Sequence, residues 1–291
     1  VATIAGADGG REYIPLRDAE ARQLRVTVRE TSRGQGVRVQ HVRLLSVDFA
    51  ETPNNMFSTI AREQSRGRLP RYFLGEQTPW TVVGVANDEK EALIDIFGAL
   101  EVDKLRFRIE PFLYIDGRLV TWADVESTPS LADDYLPIPS VTWLHGDLEL
   151  VTTALAAGDA GASTLYARYQ LMNRGAQPVR GTLFLAVRPF QVLPPWQELN
   201  ITGGACRVES LAWDGQRLAV NDDKVVVPWT KPAAFGAMTF AQGDITEYLA
   251  AERLPGASAV QDPTGWASGA LRYDFALGPQ AQATYVVAVP F

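Results

Sequence analysis

The stretch RGTLFLAVRPFQVLPPWQELNITGG, Arg180–Gly204, decides the fold class because its character changes halfway along. In the first half, Leu183 and Leu185 lie on one face of a predicted strand, and Phe184 and Ala186 lie on the other. A strand that is apolar on both faces is typical of a position between two layers, so the pattern predicts stacked sheets. The second half is a proline-stiffened loop in which apolar and polar side chains meet.

Alternation of apolar and polar residues marks several further strands that have one buried face. It is found in LRVTV at 24–28, TLYARYQLM at 164–172, LRYDFAL at 271–277 and ATYVVAV at 283–289. The residues predicted to face inward are Leu24, Val26, Val28, Leu165, Ala167, Tyr169, Leu171, Leu271, Tyr273, Phe275 and Leu277. Turn-forming residues between Leu171 and Leu183 predict a hairpin that joins two paired strands.

Helical signals are few and short. One helix is predicted from Thr52, with a proline in its first turn, and another from Asp244, where Asp-Ile-Thr-Glu resembles a capping box. Short strands separated by 24 glycines and 18 prolines, without alternating helices, predict an all-β fold. We expect a large antiparallel supersandwich at residues 71–291, a small N-terminal β-piece at residues 1–50 and a helical connector at residues 51–70.

The composition argues against two classes of partner. A net charge of −7 and a pI near 5.0 argue against nucleic acid, since binding to phosphates needs a concentrated cationic surface. The four arginines from Arg62 to Arg71 are interpreted as part of a solvated loop. No run of 18 apolar residues exists, so we predict no transmembrane helix and no membrane partner.

Residues that hold metals or act as nucleophiles are scarce. His41 is interpreted as a packing residue in a strand and His145 as a turn residue, and two isolated histidines make no zinc site. Cys206, the single cysteine, is interpreted as a small buried residue. The chain has neither a G-x-S-x-G nucleophile motif nor a phosphate-binding glycine loop, so we assign no catalytic residue and no cofactor.

Aromatic residues beside polar ones give the strongest functional signal. A sugar presents apolar C–H faces and a fringe of hydroxyl groups, so its sites combine an aromatic ring with a few fixed polar groups. The loop after Pro194 and Pro195 and the stretch TWAD at 121–124 offer that combination, and Glu110 borders an aromatic strand. The predicted sugar-binding residues are Trp196, Gln197, Asn200, Trp122, Asp124 and Glu110.

Longer segments resemble a known family. These segments are PRYFLGEQTPWTVVGV, GALEV, IEPFLYIDGRLVTWADV, YLPIPSVTW, LYARYQLMN and GTLFLAVRPFQVLPPWQELN. They resemble the central β region of large bacterial discoidin-domain-containing glycoside hydrolases, over residues 70–291. The resemblance implies a galactose-mutarotase-like supersandwich followed by an (α/α) toroid that carries the catalytic acids, as in glucoamylase-like and phosphorylase-like enzymes. The segment EARQLRVTVRETSRGQGVRVQHVRLL resembles the closing strands of a discoidin domain.

The ends of the sequence bear on this resemblance. The chain begins at Val1 and stops at the end of a predicted strand, so we interpret it as a fragment. The partners implied by the resemblance are carbohydrate and a C-terminal helical catalytic domain outside this sequence. The compartment is left open between periplasmic, secreted and cytoplasmic.

Three hypotheses about function follow. In the first, the chain is a non-catalytic carbohydrate-associated module of a multidomain glycoside hydrolase or phosphorylase-like enzyme, and Trp196 contacts either the sugar or the next domain. In the second, it is a self-sufficient mutarotase-like or polysaccharide-lyase-like enzyme that uses Glu110, Asp124 or His145 as acid or base. In the third, it is a purely structural or adhesive module.

Overall fold

The computed structural model describes Ile14 and residues 22–27, 41–197 and 201–291. This part of the chain is all-β, with two large antiparallel sheets, which confirms the predicted fold class. The strands in chain order are β1 (Trp80–Gly84), β2 (Glu91–Asp95), β3 (Leu100–Glu101), β4 (Arg108–Ile115), β5 (Arg118–Val120), β6 (Glu126–Ala132), β7 (Leu136–His145), β8 (Leu148–Ala157), β9 (Thr164–Asn173), β10 (Val179–Arg188), β11 (Ser210–Trp213), β12 (Leu218–Val220), β13 (Lys224–Pro228), β14 (Ala234–Met238), β15 (Ala259–Gln261), β16 (Ser268–Leu277) and β17 (Gln282–Pro290).

The strands form two sheets of similar size. The first sheet has eight strands in the order β1-β2-β3-β4-β10-β16-β14, with β5 paired to β4. The second has nine strands in the order β15-β11-β12-β13-β17-β9-β8-β7-β6. The pairings between these strands are antiparallel. Since the chain passes between the sheets several times, neither sheet is continuous in sequence.

The space between the sheets holds the main hydrophobic core. In β9, the inward-facing residues Leu165, Ala167, Tyr169 and Leu171 are each at most 1% exposed. Strands β16 and β17 contribute buried side chains in the same alternating way, which confirms the period-two prediction for these three strands. Fully burying a large apolar side chain stabilises a fold by about 1.5–3 kcal/mol, so this alternation is a main source of stability.

The outer faces of the two sheets differ, and we name them by that difference. The outer face of the first sheet, here called the covered face, carries Glu110, Phe112, Phe184 and Arg188, which lie buried under helices and loops. The outer face of the second sheet, here called the open face, carries polar side chains such as Arg168 in contact with solvent.

Strand β10 lies at the centre of this arrangement. Its side chains Leu183 and Leu185 belong to the core between the sheets, whereas Phe184 and Ala186 belong to a second cluster on the covered face. All four are 0% exposed. The prediction that this strand lies between two layers is therefore confirmed.

The predicted hairpin between β9 and β10 is wrong. Strand β9 pairs with β8 and β17 in the second sheet, whereas β10 pairs with β4 and β16 in the first. The side-chain amide of Asn173 holds the crossing between them, since it donates to the carbonyl oxygens of Gln177, Leu277 and Gly278 at 2.7, 3.2 and 3.0 Å. Turn-forming residues indicate where a chain bends, but they do not specify which strand it pairs with next.

Short helices cover one face of the sandwich. They are α1 (Asp48–Glu51), α2 (Pro53–Glu63) and α3 (Ile245–Ala250), with 3₁₀ turns at Arg71–Leu74 and Phe240–Gln242.

The two predicted helices form where the capping residues indicate. The Thr52 hydroxyl accepts from the Asn55 backbone N–H at 3.1 Å, and Asp244 accepts from the Thr246 N–H at 2.8 Å. Helix α2 packs around Phe190, and α3 packs on the β10 side of the covered face.

The N-terminal segment departs from its prediction where it is described. Residues 22–27 and 41–46 lie outside any strand. Leu24 and Val26, which were expected to face inward, are 51% and 58% exposed, and His41 is exposed rather than packed in a strand. The strand prediction is wrong for these residues because none of the described strands pairs with them. Of the rest of the predicted β-piece, Ile14 and Val47 lie outside any strand and residues 48–50 belong to helix α1. The other residues lie outside the described ones, so the domain division stays a prediction.

Two further expectations concern burial and the membrane. Cys206 is buried as predicted, and that burial raises the pKa of its thiol. Across the described ranges, helices long and apolar enough for a bilayer are absent.

Candidate functional site

The loop between β10 and β11 carries the first candidate site and is tied at its base. Phe190 and Ala205 form an isolated antiparallel bridge, which brings the two arms of the loop together. Above it, the N–H of Gln191 donates to the carbonyl of Gly204 and the N–H of Gly204 donates to the carbonyl of Leu193, each at 2.7 Å. These backbone bonds give the described part of the loop a defined conformation.

Helix α2 holds the returning arm of this loop. The Asn54 side chain donates to the carbonyl of Gly203 at 3.1 Å and accepts from the N–H of Ala205 at 2.8 Å. Gly204, between them, has φ +92°, and a Cβ atom there would lie 2.2 Å from Asn54 Oδ1. Only glycine therefore fits this position, because both the backbone angle and the space exclude a side chain.

The predicted residues Trp196 and Gln197 lie at the described edge of the loop. Trp196 is 44% exposed, and its ring meets Tyr72 edge-to-face at 6.4 Å. The Gln197 side chain accepts from Trp80 Nε1–H at 2.8 Å, so this residue fixes the loop against β1. Asn200, the third residue predicted here, lies outside the described residues. The result is one solvent-exposed indole on an anchored segment.

A buried carboxylate supports the loop from below. Glu101 is 3% exposed and accepts from the backbone N–H groups of Val192 and Leu193 at 2.8 and 3.1 Å. Burial raises the pKa of Glu101 to about 7, against the effect of those two hydrogen bonds and of the nearby Arg108 charge. The support of the loop thus depends on a group that titrates near neutral pH.

The stretch around Trp122 forms a separate, mostly structural arrangement. Trp122 is 6% exposed and donates from Nε1 to the carbonyl of Leu69 at 3.0 Å, while the Arg66 guanidinium lies 4.9 Å from the centre of its ring. The carboxylate of Asp124 accepts from both the N–H and the hydroxyl of Thr121 at 2.9 and 2.8 Å. Both residues therefore stabilise the turn after β5, and their partners differ from those of Trp196.

Glu110 lies inside the molecule rather than at a surface. It is 3% exposed, and its carboxylate accepts from Arg188 at 2.9 Å and lies 3.8 Å from Arg108. Arg108 in turn pairs with Asp95 at 2.9 Å. A sugar cannot reach this carboxylate without displacing an ion-pair network, so the structure corrects its placement among accessible sugar-binding residues.

The remaining acid–base candidate is His145. Its Nε2 lies 2.9 Å from the Arg118 guanidinium, which donates, so the ring proton lies on Nδ1 and is donated to the carbonyl of Asp124 at 3.1 Å. His145 was predicted as a turn residue, but it is the last residue of β7 and pairs with Leu148 across the two-residue turn that leads to β8. Asp124 and His145 are therefore neighbours through a backbone hydrogen bond, whereas Glu110 is held in the buried ion-pair network.

A pocket on the covered face was missed by the sequence reasoning. It has a volume of about 370 Å³ and lies between the C-terminal end of α2 and the start of α3. Four aromatic rings line it together with Arg188, and the rings belong to Phe57, Phe190, Phe240 and Trp266. These residues are far apart in sequence, and the one local signal was an arginine at the end of the apolar run TLFLAVR.

The polar wall of the pocket is built on α3. The carboxylate of Asp244 accepts from the Thr246 hydroxyl at 2.8 Å and lies 3.5 Å from Arg188 Nη2. Arg68, which also lines the pocket, donates to the same Thr246 hydroxyl at 3.1 Å. The N-terminal cap of α3 and Arg68 therefore form one hydrogen-bonded unit. This unit gives the pocket fixed polar groups beside its aromatic rings.

No group of three or more His, Cys, Asp or Glu side chains in the described ranges is arranged to hold a metal ion. The side chains that face the two candidate sites are aromatic rings, amides, carboxylates and guanidinium groups. These groups can stack on a ring and form hydrogen bonds and ion pairs.

Comparisons with known proteins give similarity in structure. No protein-family model matches the chain, and no curated protein does. The chain is similar to a bacterial glucoamylase complexed with acarbose, with a TM-score of 0.48 and 10% identity over 74% of this chain and 33% of that one. It is also similar to a provisionally named kojibiose phosphorylase from the human microbiome, with a TM-score of 0.34 and 10% identity over 74% of this chain and 25% of that one. This chain thus spans a third or less of the length of either protein.

Proposed function

We propose that this chain is a non-catalytic, carbohydrate-associated β-sandwich module of a multidomain glycoside hydrolase or phosphorylase-like enzyme. In this proposal the sandwich supports the catalytic domain, and the Pro194–Gln197 loop contacts sugar. The observation that carries the proposal is Trp196, whose indole stays 44% exposed on an anchored loop. An exposed, pre-positioned indole binds the C–H face of a sugar at low cost in conformational entropy.

Three contacts support the anchoring. Gln197 is hydrogen-bonded to Trp80, Tyr72 lies at the edge of the Trp196 ring, and Glu101 holds the backbone of the preceding residues. Two prolines before Trp196 further restrict the loop in the free state. The resemblance of residues 70–291 to the β region of glycoside hydrolases favours carbohydrate as the partner of such a surface.

Calorimetric titration with neutral oligosaccharides tests the proposal. We expect Trp196→Ala to weaken binding by tenfold or more, the loss of about 1.4 kcal/mol or above that is usual for an aromatic anchor. The matched control is Trp229→Ala, because Trp229 is 65% exposed but lies beside Tyr166 of β9, away from the loop. Trp229→Ala should bind as the wild type does.

Two results would redirect the interpretation. Equal, weak or absent binding by wild type and Trp196→Ala would leave the loop as a contact for a neighbouring domain and remove sugar from the proposal. Turnover of a saccharide by the purified chain, lost on His145→Ala, would favour the self-sufficient enzyme instead.

A further inference from the structure

The open face carries a pair of aromatic rings away from the Trp196 loop. Trp229 follows β13 and is 65% exposed, and its ring lies 5.1 Å from the ring of Tyr166 on β9. Leu155 of β8 pairs directly with Tyr166 and is 39% exposed. We call Trp229, Tyr166 and Leu155 the aromatic platform. Large apolar side chains that cluster at a solvated surface often mark a contact with a ligand or partner, so the platform is a candidate site.

The strand register places a charged group next to this platform. Arg168 is two residues after Tyr166 on β9, so the two side chains leave the same face about 7 Å apart. Arg168 pairs with Val286 of β17, and the carbonyl of Val286 accepts from the Trp229 N–H at 2.9 Å. Arg168, Tyr166 and Trp229 therefore surround one area of the face.

The charge of Arg168 is not neutralised within the described part of the chain. Its exposed guanidinium donates to the Thr153 hydroxyl at 3.2 Å, which is a neutral acceptor, and no described acid forms an ion pair with it. The three rows of outward-facing residues around it hold no other charge in the described strands. Their remaining members are Leu155, Tyr166, Ala288, Val227, Ser140, Thr153, Val286, Trp229, Thr142, Val151, Gln170 and Thr284.

The acids of the open face lie at a distance from the platform. Glu126 and Glu149 belong to the row of Met172, which is four residues beyond Arg168 and thus about 13 Å along the strands. Glu149 is also paired with Arg174. A chain with a net charge of −7 therefore has one uncompensated positive charge beside its exposed aromatic pair.

These groups together favour a ring that carries a negative charge. Exposed indole and phenol rings pack against the C–H face of a sugar. A guanidinium binds a carboxylate through two parallel charge-assisted hydrogen bonds, which a neutral hydroxyl group cannot form. In a hexuronate unit the carboxylate is bonded directly to the pyranose ring. One such unit can therefore contact the aromatic platform and Arg168 at the same time.

We propose that the aromatic platform and Arg168 bind a uronate unit of an acidic polysaccharide, with a C–H face of the sugar on Trp229 and Tyr166 and its carboxylate on Arg168. The choice of a saccharide rests on the proposed carbohydrate-associated function. The site itself is separate from the Trp196 loop, for which neutral sugar is proposed. The module then has two contacts that differ in their preference for charge.

Calorimetric titration with tetramers of galacturonate, glucuronate and mannuronate tests the inference. The methyl ester of each tetramer is the uncharged match, and tetraglutamate is the probe for an acidic peptide. We expect at least one acidic tetramer to bind and its methyl ester to bind more weakly by about tenfold or more, because the ester cannot pair with a guanidinium. The affinity for the acid should also fall as NaCl is raised from about 50 to about 500 mM, since the contact is exposed and is screened by salt.

Two substitutions at exposed positions locate the binding. Trp229→Ala should weaken binding of the acidic tetramer by about tenfold or more, the usual effect of removing an aromatic anchor. Arg168→Gln should weaken it about tenfold and remove most of the salt dependence, because the amide keeps a hydrogen-bond donor but not the charge. The matched controls are Arg180→Gln, at an exposed position of β10 in the first sheet, and Trp196→Ala. Both controls should bind the acidic tetramer as wild type does.

The inference is overturned if none of the acidic tetramers binds, if a methyl ester binds as tightly as its acid, or if either Trp229→Ala or Arg168→Gln binds as tightly as wild type. Binding of tetraglutamate that depends on Trp229, without binding of the saccharides, would assign the surface to an acidic peptide and overturn the saccharide. Failure of neutral oligosaccharides to bind at Trp196 would overturn the proposed loop contact alone, because the acidic tetramers report on Trp229 and Arg168.

Discussion

The covered face and the open face lie on the two different sheets of one sandwich, and their polar side chains are in opposite environments, buried on the first and exposed to solvent on the second. On the open face, Arg168 donates to the Thr153 hydroxyl at 3.2 Å, and both side chains meet water. On the covered face, Arg188 is 2% exposed and lies between Glu110 and Asp244. Water can replace the partner of the first arginine but not those of the second.

This difference explains where the candidate sites lie. The polar side chains of the open face are solvated and need no second layer of structure packed on them. The described part of this face is accordingly not covered by helices or loops. The covered face has helices, a long loop and buried charges, and these elements leave an anchored indole near the start of α2 and a pocket between α2 and α3. Cavities and fixed polar groups arise where a second layer of structure is packed onto a sheet.

The largest expected effect compares the two arginines. Arg188→Ala removes the main partner of Glu110 and leaves that carboxylate buried, so the free energy of unfolding should fall by about 3–5 kcal/mol. Arg168→Ala removes an exposed hydrogen bond and should change it by about 0.5 kcal/mol or less. Urea unfolding followed by circular dichroism measures both values. Equal effects of the two substitutions would break the distinction between the faces.

A smaller effect concerns the carboxylate beneath the loop. The pKa of Glu101 is raised to about 7 in the folded chain against a usual 4.5, so the folded state binds more protons than the unfolded state between these values. Its contribution to stability is therefore fully present below about pH 4.5 and is lost as the pH rises through 7. Over that window the loss amounts to about 3 kcal/mol.

The substitution Glu101→Gln isolates this contribution. The amide oxygen can still accept from Val192 and Leu193 but does not titrate, so the variant should become more stable relative to wild type as the pH rises from 4.5 to 7.5. Unfolding in urea at a series of pH values gives the difference, and Glu126→Gln on the exposed strand β6 is the matched control. A constant difference across the pH range would contradict the burial of an ionisable group here.

The sequence predicted the strands well where their environment is simple. Alternation in β9 and β16 reflects one buried and one outer face, and the doubly apolar β10 reflects burial on both. The helix caps at Thr52 and Asp244 could be predicted from the sequence because a cap is a local interaction within three residues. Local chemistry and burial pattern are thus what a single sequence conveys most directly.

Long-range pairing and the sites were harder to predict. The hairpin between β9 and β10 was wrong because Asn173 sends the chain to the other sheet through contacts with residues about a hundred positions away. The burial of Glu110 could not be predicted from the local sequence, because its partner Arg188 is 78 residues distant. The pocket combines Phe57 with Trp266, and no local pattern connects them.

Hydrogen exchange with and without saturating neutral oligosaccharide tests the central claim most directly, namely that the covered face carries the contact with neutral carbohydrate. The account predicts added protection in the arms of the Pro194–Ala205 loop, with the amides of β7 and β8 beneath the open face unchanged. Protection confined to the open face, or none on either face at a concentration that saturates binding, would contradict it.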